Sequence, residues 1–568
     1  MDSAINIYQV FTRLFNNKNQ TNKEFGTIEE NGCTKFNDIT STALDQIKKF
    51  GATHIWYTGV IRHATCTDYS KHGLSTDNPH VVKGQAGSPY AIKDYFDVHP
   101  DFAVQVKNRM NEFEKLVQRT HDAELKCIID FVPNHVSREY KSENLPGGCV
   151  ALGSYDDTSI AFSPSNNFYY IPHEELHLPS EINFPYTQQA PAYHEIPAKV
   201  TGNDVFSAYP AITDWYETVK LNYGIDYQNL WHEHFEEIPD TWVRMYEILE
   251  FWTKKGVDGF RCDMAEMVPV RFWGWVIPQI KQLNPNIIFI AEVYNPEEYR
   301  NYLFRGKFDY LYDKVGLYDI LRLIIEGFGS AKYISDCWKT HDDITSKMLR
   351  FLENHDEQRI ASRFFAGNAE AAKASMILAG TMDRSPLMIY FGQEIGEKGM
   401  DKEGFSGIDG RTSIFDYWSL PEYNKWVNAG KFDGAKLSDE QKELREFYTS
   451  LNWLRLNHEA IHSGLFYDLM WKNYNGNLDS DKIFAFLRYS DNQKMLIIIN
   501  FDIHQTHTFR LFIGEHAFET MNFKKEGKIK LKEVFEADFS DEFPMQEVLE
   551  LGIPFSILPN SALVFELS

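Results

Sequence analysis

The run Gly256-Val257-Asp258-Gly259-Phe260-Arg261-Cys262-Asp263 decides how this chain is read. It is a short, strand-like stretch that ends on two charges two residues apart. In an extended chain alternate side chains share a face, so Arg261 and Asp263 point the same way. A charge at the end of a buried strand must be hydrated, paired or used in chemistry, because burying it alone is costly. Three more runs end alike. They are Cys127-Ile128-Ile129-Asp130-Phe131-Val132-Pro133-Asn134-His135, Ile287-Ile288-Phe289-Ile290-Ala291-Glu292 and Phe351-Leu352-Glu353-Asn354-His355-Asp356.

Working outward, eight strand-like runs appear, at 5–12, 52–58, 125–131, 257–262, 287–292, 308–312, 348–353 and 387–391. Helical patterns lie between them, for example at 102–123, 241–254 and 369–378. Alternating strands and helices argue for a parallel sheet, and eight units predict a closed (β/α)8 TIM barrel of the α/β class. The alternation breaks after the third strand. Residues 137–222 are rich in Pro, Tyr, Ser and Asn and predict an irregular inserted domain. A helical pattern at 439–457 closes the barrel portion, read as 1–136 and 223–459. Residues 460–568, with strand patterns at 483–489, 495–500 and 562–565, predict a C-terminal antiparallel β-sandwich domain.

The chain has 568 residues and a formal net charge of −24, from 57 basic and 81 acidic side chains. That balance disfavours nucleic acid and anionic membranes as partners and leaves neutral ligands open. Six cysteines occur without a CxxC pair. No zinc motif or disulfide framework is expected, and Cys127 and Cys262 read as small core residues. No basic-then-apolar leader and no apolar window long enough for a membrane span are visible. A cytoplasmic location is the expectation; the oligomeric state is not readable.

An active site in this fold lies at the C-terminal ends of the barrel strands. An arginine beside Asp263 is expected to keep it ionised, as a nucleophile requires. Glu292 ends the next strand, and a neighbouring carboxylate raises its pKa, as a general acid requires. Retaining glycosidases need two such groups about 5–5.5 Å apart. Adjacent strands, about 4.8 Å apart, can supply that spacing. Taken singly, each carboxylate fits a loop cap or surface ion pair, and His135 fits a hydrogen-bonded structural histidine. The joint occurrence points to chemistry.

These four segments resemble glycoside hydrolase family 13, the α-amylase family, in Asp130-x-x-x-Asn134-His135, Gly259-Phe260-Arg261-x-Asp263, Glu292 and Asn354-His355-Asp356. The resemblance extends to the opening Ile7-Tyr8-Gln9-Val10-Phe11, the inserted segment and the C-terminal β segment. It implies a retaining α-glycoside hydrolase that cleaves α-1,4-glucosidic bonds in starch, glycogen or maltooligosaccharides. Asp263 would be the nucleophile, Glu292 the acid and base, and Asp356 the third carboxylate, which holds sugar hydroxyls. Arg261 would orient Asp263, and His135 and His355 would bond the sugar being cleaved. Tyr90, in Gly87-Ser88-Pro89-Tyr90-Ala91-Ile92-Lys93-Asp94, would stack on it. No cofactor is implied for the chemistry, and Asn134 matches a structural calcium ligand. The sequence departs from the family at Glu266 and Met267, where many members carry Lys-His on the leaving-group side. Lys220-Leu221-Asn222 is similar to neopullulanase-like members, so a neopullulanase, cyclomaltodextrinase or α-glucanotransferase activity is the first alternative. A non-catalytic carbohydrate-binding barrel is the second. The loop Asn16-Asn17-Lys18-Asn19 does not match the Asp-rich calcium loop of other members and reads as a plain turn.

Overall fold

The computed structural model describes residues 4–399, 404–405, 407–474, 476, 478–537 and 539–568. Eight parallel strands form one sheet: β1 (Asn6–Phe11), β2 (His54–Thr58), β3 (Lys126–Phe131), β4 (Gly259–Cys262), β5 (Ile288–Ala291), β6 (Tyr310–Tyr312), β7 (Met348–Leu349) and β8 (Leu387–Tyr390). Their order runs β7-β6-β5-β4-β3-β2-β1-β8. A parallel bridge between Arg350 and Leu387 joins the two ends, with Arg350 N–H on Pro386 O at 2.9 Å and Met388 N–H on Arg350 O at 2.8 Å. The sheet is therefore a closed barrel, as the alternation predicted. Two staves are shorter than expected: 308–312 shrinks to Tyr310–Tyr312 and 348–353 to Met348–Leu349. Arg350 makes up for the short β7 through its side chain, which pairs with Asp313 and reaches Asp383 at 2.9 Å and Thr345 at 2.6 Å.

Helices cover the outside. Helix α1 (Arg109–Asp122) buries Phe113, Leu116, Val117 and Thr120, the three- and four-residue spacing of one helical face. The patterns at 241–254 and 369–378 become α2 (Asp240–Lys254) and α3 (Lys373–Thr381). Helix α4 (Asp439–Asn457) starts in a capping box: Ser438 Oγ accepts Gln441 N–H at 3.2 Å and Gln441 Oε1 accepts Ser438 N–H at 3.1 Å. Its buried Arg455 donates to Asn6 Oδ1 at 2.7 Å and Ser385 O at 2.6 Å, tying this helix to the first strand.

No helix forms between residues 138 and 217; short antiparallel pairs carry that segment instead. His135–Ser137 pairs with Thr218–Lys220, and Tyr170–Ile171 with Ala198–Lys199. The C-terminal segment holds a six-stranded sheet and a two-stranded sheet, all antiparallel. All six cysteines are free, with Cys127 and Cys262 buried. No described helix is long and apolar enough to cross a membrane. The Asn16–Asn19 loop is more than a turn. Asn17 is buried and its amide donates to Asn31 O at 2.8 Å and Trp418 O at 2.7 Å.

Candidate active site

Register decides which side chains meet. Arg261 on β4 lies level with Asp130 on β3 and Ile290 on β5. Cys262 faces Ala291. One residue further, Asp263 comes level with Glu292, whose N–H still bonds Cys262 O at 3.1 Å. Arg261, fully buried, therefore sits among three carboxylates. Its Nη1 donates to Asp263 Oδ1 at 2.6 Å and lies 3.8 Å from Asp130. Its Nη2 approaches Glu292 Oε2 to 2.8 Å, in an ion contact without hydrogen-bond direction. Nε donates to Tyr312 OH at 3.1 Å, and the rings of Trp56, Tyr90 and Tyr312 flank the guanidinium.

After Asp263 the chain turns through Met264, a non-glycine residue at φ 43°. That turn aims Met264 N–H at Glu292 Oε2, 2.7 Å away. Tyr294 OH donates to Glu292 Oε1 at 2.7 Å. Asp356 follows β7 in a turn capped by Asn354 Oδ1, which accepts the N–H groups of Asp356 and Glu357 at 2.8 Å. It is half-buried and lies 3.0 Å from His355 Nε2.

These groups face one cavity of about 290 Å³, lined by Tyr90, His135, Asp263, Glu292 and Asp356, with Lys83, Ser88, Trp215, Glu217, Thr218, Met264, Tyr294, Ile414 and Phe415. Tyr90 arrives through Gly87, at φ +75°, where a Cβ would stand 1.8 Å from Ala64 O. Buried Arg13 binds two walls together: it donates to Ile414 O at 2.8 Å and to Ala86 O and Gly87 O at 3.1 Å. A larger hollow of about 490 Å³ lies in the C-terminal sheets. Its buried Glu533 is spent on the backbone N–H groups of Phe535, Glu536, Ala537 and Val564.

The electrostatics differ from the sequence expectation. Burial pushes Asp263 up from the ordinary carboxylate range, and Arg261 only opposes that push while Asp356 adds to it. Burial raises Glu292 as well, again against Arg261. Two buried carboxylates around one guanidinium share the uptake of a proton. Arg261 hydrogen-bonds Asp263, while Glu292 accepts from Met264 N–H and Tyr294 OH, so each carboxylate has donors that work against the push of burial. Burial also works against ionised Asp356, but His355 and then Arg261 hold it down at about 2. Burial takes His135 down to about 4, aided by Lys220 and Lys83 over the pull of Glu217, so its ring is neutral near pH 7.

Two of the expected site residues lie in other surroundings. His355 does not face the cavity. Its side chain is wholly buried behind the wall, with Nδ1 on Gln9 Nε2 at 2.9 Å and Nε2 on Tyr90 OH and Asp356. It is in contact with Tyr90 and Asp356, both of which line the cavity. Asn134 does not fit a calcium site. Its Oδ1 accepts Lys220 Nζ at 2.9 Å, its Nδ2 donates to Gly202 O at 2.7 Å, and the ammonium reaches Asp204 at 2.5 Å. A calcium shell needs six to eight oxygens, and here a lysine cation fills the place facing the amide oxygen. Among the described residues no cluster of three or more His, Cys, Asp or Glu suits a metal.

Lys83, Glu217, Tyr294, Ile414 and Phe415 are lining residues that no sequence motif singles out. Tyr294 carried a signal: it lies two residues beyond Glu292, the spacing that linked Arg261 to Asp263. The others come from loops whose path depends on the folded barrel.

A barrel with this arrangement at its strand ends defines a carbohydrate-active class, and comparison with known proteins makes the class specific. The family model described as "Alpha amylase, catalytic domain" matches residues 9–302 and 318–463. The chain is 25% identical over 460 residues to alpha-amylase 3 of Dictyoglomus thermophilum, covering 75% of this chain and 77% of that one. It is 23% identical over 524 residues to a cyclomaltodextrinase of a Bacillus species, covering 90% and 75%. The structure of an α-amylase from Geobacillus thermoleovorans, complexed with acarbose, superposes with a TM-score of 0.63 at 20% identity over 100% of this chain and 98% of that one. The chain belongs to the α-amylase family and is a glycosidase, a hydrolase of O-glycosyl bonds.

Proposed function

We propose that the chain hydrolyses α-1,4-glucosidic bonds in starch, glycogen or maltooligosaccharides with retention of configuration. One observation carries this reading: Asp263 and Glu292, on adjoining strands, both lie within 2.8 Å of one guanidinium at the wall of a cavity that also holds Asp356. That is the two-carboxylate arrangement of a displacement at an anomeric carbon. Asp263 attacks that carbon, the glycosidic C–O bond breaks, and Glu292 gives its proton to the departing oxygen. Glu292 then takes a proton from water, the water oxygen attacks the same carbon, and the bond to Asp263 breaks. Asp356, ionised, holds sugar hydroxyls and stabilises developing positive charge. Tyr90 offers a ring face, and neutral His135 can donate or accept a hydrogen bond. The chemistry needs no metal in this scheme, and Lys220 supplies the structural cation beside Asn134. Six free thiols support a reducing compartment.

The cyclomaltodextrinase relative, which spans most of the chain, supports a second reading in which cyclic dextrins are also opened. Digestion of maltotriose, starch, pullulan and cyclodextrin, followed by proton NMR from the first turnovers, tests both. The α-anomer of the new reducing end is expected first. Initial release of the β-anomer would sink the displacement by Asp263, and inert cyclodextrin would sink the second reading.

A further inference from the structure

Glu292 is gripped by more than the arginine. Its Oε2 is taken by Met264 N–H at 2.7 Å and by the ion contact with Arg261 at 2.8 Å. Oε1 has one protein partner, the hydroxyl of Tyr294 at 2.7 Å. Tyr294 lines the cavity. The turn that carries it is held from across the strand ends: Glu266 Oε2 accepts the N–H groups of Tyr294 and Asn295, each at 3.0 Å. Glu266 is itself fixed, since Tyr302 OH lies 3.0 Å from both Glu266 O and Val268 O. So the turn after β4 and the turn after β5 are laced twice, by Met264 to Glu292 and by Glu266 to Tyr294. The mechanism above uses neither Tyr294 nor Glu266.

We propose that Tyr294, clamped by Glu266, is a positioning residue that reserves Oε1 of Glu292 as the proton-carrying oxygen and aims it at the departing sugar oxygen. This rests on Glu292 being the acid. With Oε2 filled by a backbone donor and a cation, Oε1, whose partner is a rotatable hydroxyl, is the oxygen left to take and give the proton. A hydroxyl suits the place because it donates to the ionised carboxylate and can rotate away once Oε1 is protonated, which leaves that proton to the sugar oxygen. Both states keep the carboxyl rotamer, while the bond to the ionised form eases release of the proton.

The Tyr294→Phe variant removes only the hydroxyl. Its kcat should be compared on maltotriose and on an aryl α-maltoside with a nitrophenolate leaving group, which departs without protonation. The expected result is a fall of about tenfold on maltotriose and less than about twofold on the aryl substrate. The basic limb of kcat/KM on maltotriose should move up by about half to one pH unit, because losing a donor to the carboxylate raises the pKa of an acid that must be protonated to act. Glu266→Ala should show the same leaving-group split, weaker, and add nothing in the double variant. Thermal melting checks that each variant is folded, and either variant alone suffices for the test. Equal falls on both substrates, or an unmoved basic limb, would overturn the proposal. Glu292→Gln separates the two claims. If it cleaves maltotriose at the wild-type rate, the acid assignment itself fails. If it is inactive there while Tyr294→Phe shows no split, only the role of Tyr294 fails.

Discussion

Two buried cations stand at the strand ends of this barrel, and their surroundings differ. Arg261 is oversubscribed: three carboxylates crowd it, and two of them face a cavity. Lys220 is matched: one amide oxygen, one carboxylate and the face of Tyr227 receive it, and it is buried in the seam between β3 and the inserted segment. A matched cation closes a structure. An oversubscribed one leaves carboxylates with raised proton affinity beside open space, which is the condition for acid–base work. Burial alone does not tell the two apart; the count of partners does.

Changing one carboxylate at the crowded cation should act on rate, not stability. Asp263→Asn is expected to lower release of reducing sugar from maltotriose by at least about 10³-fold. Its melting temperature should hold or rise, because one buried charge has gone. A variant that stays active would dissolve the contrast. Breaking the matched cation should do the reverse. Lys220→Met leaves Asn134 Oδ1 unpaired and Asp204 alone, and should cost about 2–3 kcal/mol in urea unfolding, discounted because Asp204 is one-third exposed. A chelator should leave the wild-type melting temperature unchanged; a drop would return a metal to this place. A pH-dependent effect sharpens the comparison at His135, which lines the cavity and pairs in register with Lys220. Its pKa is lowered to about 4 from 6.5, so the stability it lends is complete above pH 6.5 and is lost as pH falls toward 4. The loss is on the order of 3 kcal/mol. The stability gap between wild type and His135→Gln should narrow over that window; a gap that is flat with pH would show that His135 carries no such linkage.

Much of this was readable from alternation and strand ends. The eight staves, the helices at 240–254 and 439–457 and the sheets after residue 465 follow from local pattern, because each pattern buries one face. The meeting of Arg261, Asp263 and Glu292 followed from side-chain alternation and neighbouring strands. The division of protons did not. Alternation gave Arg261 to Asp263 alone, whereas the register of β4 against β5 brings Glu292 to the same guanidinium, and burial outweighs the arginine. Lys220 left a trace that the sequence reading did not use. A lysine between Val219 and Leu221 has to be paired when buried, and only the hairpin with His135–Ser137 shows with what. A histidine beside Asp356 looks alike in sequence whether it faces the cavity or the wall behind it, so the burial of His355 shows only in the fold.

The closure of the barrel has a consequence of its own. Seven joints of this hoop are stitched by strand pairing, whereas the eighth depends on one backbone bridge and the side chain of Arg350, riveted to Asp313, Asp383 and Thr345. Burial works against ionised Asp383, yet Arg350 and its hydroxyl partners hold its pKa below the usual range. Acid strong enough to neutralise it would loosen the rivet while the stitched joints, held by backbone hydrogen bonds that do not titrate, stayed shut. The stave that leads to Asp356 hangs at that joint, so such a cylinder would come open on the side of its third acidic group and leave Asp263 and Glu292 side by side.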